Sequence, residues 1–201
     1  GGPAGLQDAP SSISTSTSLS LGTSVAGACD VNGDGYADVI AGASTDEAFV
    51  FFGGPEGLST VQNNHLVGSG TFGIDVACAG DVNGDGYADA LVGAPGDGDA
   101  YLFLGSPEGL ESPQAILSGP GQYGLAVSSA GDVNGDGYSD IAIGGNGTVE
   151  VFFGSPSGVA ATPTSVLVGQ STYFGDAISA ADTNGDKLSD LLVTQVGLQD
   201  G

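Results

Sequence analysis

The sequence predicts an all-β fold, a β-propeller built of four-stranded antiparallel blades. Three observations predict it. An acidic nine-residue string recurs at a nearly constant interval, each interval holds four short β-type segments, and no window shows helical periodicity. The string is Asp-Val-Asn-Gly-Asp-Gly-Tyr-Ala-Asp at 30–38 and 81–89, returns with Ser for Ala at 132–140, and becomes Asp-Thr-Asn-Gly-Asp-Lys-Leu-Ser-Asp at 182–190. Starts at 30, 81, 132 and 182 give spacings of 51, 51 and 50 residues. Four short strands in a period of about 50 residues is the pattern of one propeller blade.

Within each period the elements follow in a fixed order. The first strand is expected to begin at an aromatic-Gly or Leu-Gly pair and run into the acidic loop: Leu21-Gly22, Phe72-Gly73, Tyr123-Gly124 and Phe174-Gly175. A second strand follows the loop as an apolar run, from Asp38 to Gly42, Ala90 to Gly93, Ile141 to Gly144 and Leu191 to Val193. The third is rich in β-branched and aromatic residues, Ala48 to Phe52, Ala100 to Leu104 and Val149 to Phe153. Pro- and Gly-marked turns at 54–58, 106–110 and 155–159 then lead to a more polar fourth strand near Leu66, Leu117 and Leu167. The second and third strands lack polar alternation, as expected of mid-blade strands covered on both faces.

The same turn pattern at Gly2-Pro3-Ala4-Gly5-Leu6 places an outer strand over Ser11 to Ser20, although that Ser/Thr-rich stretch reads equally as a frayed tail. The expected count is one outer strand, three complete blades and two inner strands. They form one domain over 1–201, with repeats of about 1–52, 53–104, 105–153 and 154–201. Unpaired blade edges invite either homodimerisation or closure by the N-terminal strand against the last two.

Composition removes several function classes. The chain has 24 Asp+Glu against one basic residue, Lys187, and one His, for a net charge of −23. Nucleic-acid binding needs cations to displace phosphate counterions, and an anionic membrane surface would repel this chain. No apolar stretch approaches the ~20 residues of a spanning helix, and no signal-peptide pattern opens the chain. The 38 Gly lack the period of three of collagen, and the positive mean hydropathy argues against disorder.

The acidic loops carry the chemistry. Asp30, Asn32, Asp34 and Asp38 occupy positions one, three, five and nine of the first loop, with the Tyr36 backbone carbonyl at position seven. The corresponding sets are Asp81, Asn83, Asp85, Tyr87 and Asp89; Asp132, Asn134, Asp136, Tyr138 and Asp140; and Asp182, Asn184, Asp186, Leu188 and Asp190. Alternate residues of a tight loop aim oxygens at one centre, and a bidentate ninth Asp completes the seven-oxygen shell that suits Ca²⁺ better than Mg²⁺. Three carboxylates ~5 Å apart at an effective dielectric of ~20 repel by roughly 3 kcal/mol per pair, about 10 per loop. Twelve of the 24 acids lie in these loops, and four divalent ions, eight positive charges, would bring −23 to −15. The plain alternative is a set of solvated Asp/Asn/Gly turns. Position six is Gly in three loops and Lys187 in the fourth, so the fourth site is expected to be the weakest. An EF-hand loop needs an acidic twelfth position; Ala41, Val92, Ile143 and Val193 stand there, and a strand follows instead of a helix.

These repeats resemble the FG-GAP repeats of the integrin α-subunit β-propeller, over essentially the whole chain. The motif names appear at Phe72-Gly73 and Gly93-Ala94-Pro95, and the Asp-x-Asn-x-Asp-Gly-x-x-Asp loop is the most specific part. Leu21 replaces the aromatic, and Gly144-Gly145-Asn146 and Thr194-Gln195-Val196 replace Gly-Ala-Pro. The resemblance implies that each loop joins a blade's first two strands and binds Ca²⁺ through positions one, three, five, seven and nine. Integrin α-subunits have seven blades, so four repeats imply a fragment, a smaller ring or half of an assembly. The near-identical loops and scarcity of Lys/Arg resemble bacterial FG-GAP proteins more than animal integrins.

Outside the loops the candidates are few. Cys29 and Cys78 precede adjacent loops; adjacent inner propeller strands usually stand too far apart for the Cα spacing of a disulfide, so buried thiols are expected and a bond is the alternative. His65 is expected on the surface, and Asp97 and Asp99 in a solvated turn, the alternative being an extended cation site. No His-carboxylate or Cys-His grouping supports catalysis. The expected function is a non-enzymatic, calcium-stabilised adhesion or protein-interaction module, located outside the cell as the resemblance implies. The alternatives are a carbohydrate-binding propeller using Tyr101, Tyr123 and Tyr173 as platforms, or the accessory propeller of a larger enzyme. Its partner is an unidentified protein or glycan.

Overall fold

A computed structural model describes residues 20–195. Their regular elements are fourteen β-strands in four antiparallel sheets, and within each sheet every strand pairs with the next in sequence. The first blade holds β1 (Leu21–Cys29), β2 (Asp38–Ala43), β3 (Glu47–Phe51) and β4 (Asn64–Val67). The second holds β5 (Val76–Gly80), β6 (Asp89–Ala94), β7 (Asp99–Phe103) and β8 (Pro113–Ser118). The third holds β9 (Ala126–Gly131), β10 (Asp140–Gly145), β11 (Thr148–Phe152) and β12 (Ser165–Val168). In the fourth, β13 (Ile178–Ala181) pairs with β14 (Asp190–Val193). The expected strand over 11–20 and the turn at 2–6 lie outside the described residues, apart from Ser20.

Core formation occurs between blades. On β6, Ala90, Val92 and Ala94 face the first blade and pack with Ile40, Ala48, Val50 and Leu66, while Leu91 faces the third blade and meets Ile141 and Ile143. Period-two alternation therefore divides each central strand between two interfaces, and every residue of β6 and β10 is buried. The apolar runs in the sequence are two interleaved core faces. On the outer strands only one residue inserts, Leu66 on β4 and Leu117 on β8; their counterpart Leu167 on β12 stands in front of the two-stranded fourth sheet and is 38% exposed.

The aromatic-Gly pairs correct one expectation. In the second to fourth blades they precede the first strand instead of opening it. Gly73, Gly124 and Gly175 take φ of 87°, 82° and 89°, outside strand geometry, and their N–H groups donate to the second strand of the same blade at Gly93 (3.0 Å) and Gly144 (3.1 Å), or to Thr194 just past it (3.0 Å). This folds the aromatic inward, and Phe72 and Tyr123 are 1% exposed. Tyr123 is therefore a core residue and cannot serve as a sugar platform.

Blades also meet backbone to backbone. A Cβ placed on Gly93 of β6 would lie 2.0 Å from the carbonyl oxygen of Gly124 in the next blade. Neither chain segment can retreat, since Gly124 donates to Gly144 and Gly93 donates to Asp75. Gly93→Ala is expected to destabilise the protein by about 3 kcal/mol, read from denaturant unfolding. A loss below ~0.5 kcal/mol would contradict so close an approach.

Candidate metal centre

All the acidic loops lie at one end of the blades, each joining a first strand to a second. The first loop shows how the sequence folds locally. Asp30 accepts the amides of Asp34 (3.0 Å) and Gly35 (2.9 Å) on its two carboxylate oxygens. Asn32 Oδ1 accepts the Asp34 amide at 3.0 Å, and Asp34 Oδ1 accepts the Tyr36 amide at 2.9 Å. These short-range Asx bonds turn the odd-numbered side chains inward. The second and third loops repeat the pattern through Asp81, Asn83 and Asp85 and through Asp132, Asn134 and Asp136.

Position nine is different because it starts the second strand, inside the blade. Asp38, Asp89 and Asp140 are 0–1% exposed. Each accepts one amide from position two and one from the turn after the third strand: Val31 and Gly53 for Asp38, Val82 and Gly105 for Asp89, Val133 and Gly154 for Asp140, all within 2.8–2.9 Å. Burial pushes the Asp38 and Asp140 carboxyls above the ordinary range and that of Asp89 up to about 7, against the pull of those two amides. The charges at positions one and five of the same loop push further in the same direction.

As the loops stand, their oxygens are engaged by amides, and no cluster of three Asp, Glu, His or Cys side chains gathers around one point among the described residues. The donor chemistry nevertheless fits a hard cation. Each loop offers only oxygens, most amide-bound carboxylate oxygens keep a second lone pair (Asp81 Oδ1 and Asp132 Oδ1, which accept two amides each, do not), and none of the loop carboxylates forms an ion pair among the described residues. A divalent ion there would supply the missing positive charge.

The fourth loop keeps the same bonds, with Asp182 accepting from Gly185 (2.7 Å) and Lys187 (2.9 Å), Asn184 from Asp186 (2.8 Å) and Asp186 from Leu188 (2.8 Å). The first two amides hold the Asp182 carboxyl below its usual range. Two features set the loop apart. Asp190 is half-buried, and Lys187 adopts φ 72° where Gly35, Gly86 and Gly137 stand at 86°, 93° and 90°. Lys187→Gly removes a side chain from a left-handed position and a like charge from beside the site. Were the loop to hold calcium, this change is expected to raise its affinity by about fivefold, the equivalent of roughly 1 kcal/mol. Titration calorimetry checks this, and an unchanged weakest site would contradict it.

Several other residues differ from expectation. Cys29 and Cys78 form a disulfide with a Cα–Cα distance of 5.6 Å, where buried thiols were expected. The inner strands β1 and β5 run side by side near the axis, closer than the spacing of whole blades suggests. The residue before one loop lies near the third residue before the next: at the following interface a Cβ on Gly80 would come 3.9 Å from Oγ of Ser129, the counterpart of Cys78, although Ser139 is the nearer neighbour. Asp97 and Asp99 accept the hydroxyls of Ser69 and Ser118 beside the β6–β7 turn, at the opposite end from the loops, and cannot extend a loop site. His65 is exposed, as expected, but stacks on Phe49 with ring centroids 4.7 Å apart and binds Glu47 at 2.8 Å. Asp75, which no sequence motif marks, ties three blades near the axis, accepting Ser24 Oγ (2.9 Å) and the Val127 amide (2.9 Å). Only its place three residues after Phe72, in each repeat the entry to the first strand, could have marked it.

Strands, blade order and loop placement define the class: a β-propeller repeat protein with an oxygen-rich acidic loop in each blade. The sequence profile described as FG-GAP-like repeat matches residues 30–92, 81–142 and 132–193, and the chain belongs to that family. Among known proteins it is similar to integrin alpha-PS2 of Drosophila melanogaster, 34% identical over 165 residues, covering 66% of this chain and 12% of that protein. It is likewise similar to integrin alpha-IIb of Mus musculus, 36% identical over 150 residues, covering 61% and 14%. Integrin alpha-6 of Gallus gallus is 39% identical over 108 residues, covering 46% and 10%. The chain spans about an eighth of the length of these relatives.

Proposed function

We propose that this chain is a calcium-binding, non-enzymatic adhesion or protein-interaction module of the integrin α type, working outside the cell. The observation that carries the reading is the set of four loops, each presenting three carboxylates, an amide oxygen and a backbone carbonyl, with no protein cation paired to any loop carboxylate among the described residues. Millimolar extracellular calcium fills sites of modest affinity, and the disulfide between Cys29 and Cys78 suits an oxidising compartment. No helix among the described residues is long and apolar enough to cross a membrane.

In this reading the chain's residues do two things. Asp, Asn and backbone oxygens of each loop surround the ion, and in the first three loops the buried ninth Asp ties the loop to the turn after the third strand of its own blade. The result is a rigid rim that presents the loops of the opposite end to a protein or glycan. Immobilised chain is expected to capture cell-surface or matrix proteins in calcium and release them in chelator. Binding to a glycan array but to no protein would favour the carbohydrate-binding alternative, and calcium-independent capture would remove the metal from the function.

A further inference from the structure

The acidic loops touch one another across the blade interfaces in a repeated way. The amide at position eight of each loop donates to the position-one carbonyl of the preceding loop: Ala88 to Asp30 (2.9 Å), Ser139 to Asp81 (3.0 Å) and Ser189 to Asp132 (2.9 Å). The side chain at position seven covers the glycine at position four of that same preceding loop. A Cβ placed on Gly33 would come 2.6 Å from Tyr87 Cε1, one on Gly84 2.6 Å from Tyr138 Cε1, and one on Gly135 3.0 Å from Leu188 Cδ2. Among the tyrosines burial follows the contact, with Tyr87 and Tyr138 half-buried, while Tyr36, which covers no other loop among the described residues, is 43% exposed; the shorter Leu188 is 38% exposed.

We propose that these contacts couple the calcium sites in series, so that filling one loop raises the affinity of the loops on either side. The proposal rests on the calcium reading above and concerns the regulation of those same sites. Position seven joins the two roles: its backbone carbonyl is a ligand in its own loop, while its ring and the next amide support the first ligand residue of the neighbouring loop. An ion that fixes the Tyr87 carbonyl therefore fixes the Tyr87 ring over Gly33 and the Ala88 amide on Asp30. Fewer conformations remain for the first loop to lose when it binds. By linkage the first loop returns the same factor to the second, and couplings of this kind amount to about 5- to 150-fold.

The test is a calcium titration of the whole chain followed residue by residue in amide NMR spectra, with Gly35, Gly86 and Gly137 reporting loops one to three. The wild type is expected to show overlapping, steeper-than-single-site transitions at the three glycines. Tyr87→Ala keeps every proposed ligand atom, because position seven binds through its carbonyl. It is expected to raise the Gly35 midpoint about fivefold and to leave Gly137 within about twofold. Tyr36→Ala, the control, leaves Gly86 and Gly137 unchanged. If Tyr87→Ala does not fold, Tyr138→Ala with Gly86 as reporter carries the same test at the next interface. A Gly35 midpoint untouched by Tyr87→Ala, or a uniform shift at all three glycines, overturns the coupling while leaving calcium binding intact. Glycine signals that ignore millimolar calcium in the wild type overturn the calcium reading itself, and the coupling with it.

Discussion

Chelating calcium is expected to lower the melting temperature by about 15 °C or more. A ligand that binds only the native state adds about 2.7 kcal/mol per site at a hundredfold excess over Kd, so three well-formed loops supply about 8 kcal/mol. A chain of this size moves roughly 2–4 °C per kcal/mol. The effect is expected to be large here because the positive charge comes from outside the protein: burial drives the ninth-position carboxyls upward, to about 7 at Asp89, while positions one and five add repulsion. Calorimetry in millimolar calcium and in chelator measures it. A melting point that stays within ~3 °C would mean that the loops are ordinary solvated turns held by their own amides.

Removing the disulfide is the second large perturbation. Cys29→Ser with Cys78→Ser opens a link between residues 49 apart, and the chain-entropy relation for a loop of that length gives about 4 kcal/mol. The double variant is expected to melt about 8–15 °C lower than the parent under matched calcium. The two effects are expected to be separable: calcium still stabilises the double variant, because the bond joins strands β1 and β5 and neither cysteine is a loop ligand. Equal melting temperatures for the variant and its parent would show that the unfolded chain is already constrained without the bond.

The blade centres were legible in the sequence because burial on both faces forces an apolar run, and no other environment in a soluble β fold explains residues 89–94 or 140–145. The acidic loops were legible because ligand geometry fixes residue type at every second position. What the strand pattern does not encode is how neighbouring blades approach one another. The disulfide depends on the convergence of β1 and β5 at the axis, and the cover of Gly33 by Tyr87 depends on the offset between blades. Both involve residues about 50 apart with no shared periodicity to announce them. The aromatic-Gly pairs were misplaced for a local reason: a glycine at positive φ ends strand geometry, and its single hydrogen bond to the second strand makes the pair look like part of the sheet. Asp75 escaped notice because its neighbours across the axis, Ser24 and Val127, belong to different repeats.

The Cys29–Cys78 link has a mechanical consequence. In the adhesion role proposed above the chain would be pulled, and a chain drawn out from its ends lengthens by roughly 3.3–3.6 Å for each residue released. The crosslink withholds the 49-residue step from Cys29 to Cys78, roughly 160–175 Å of extension, so the inner edge of the first blade and the start of the second resist tension as one knot while later blades give way around it.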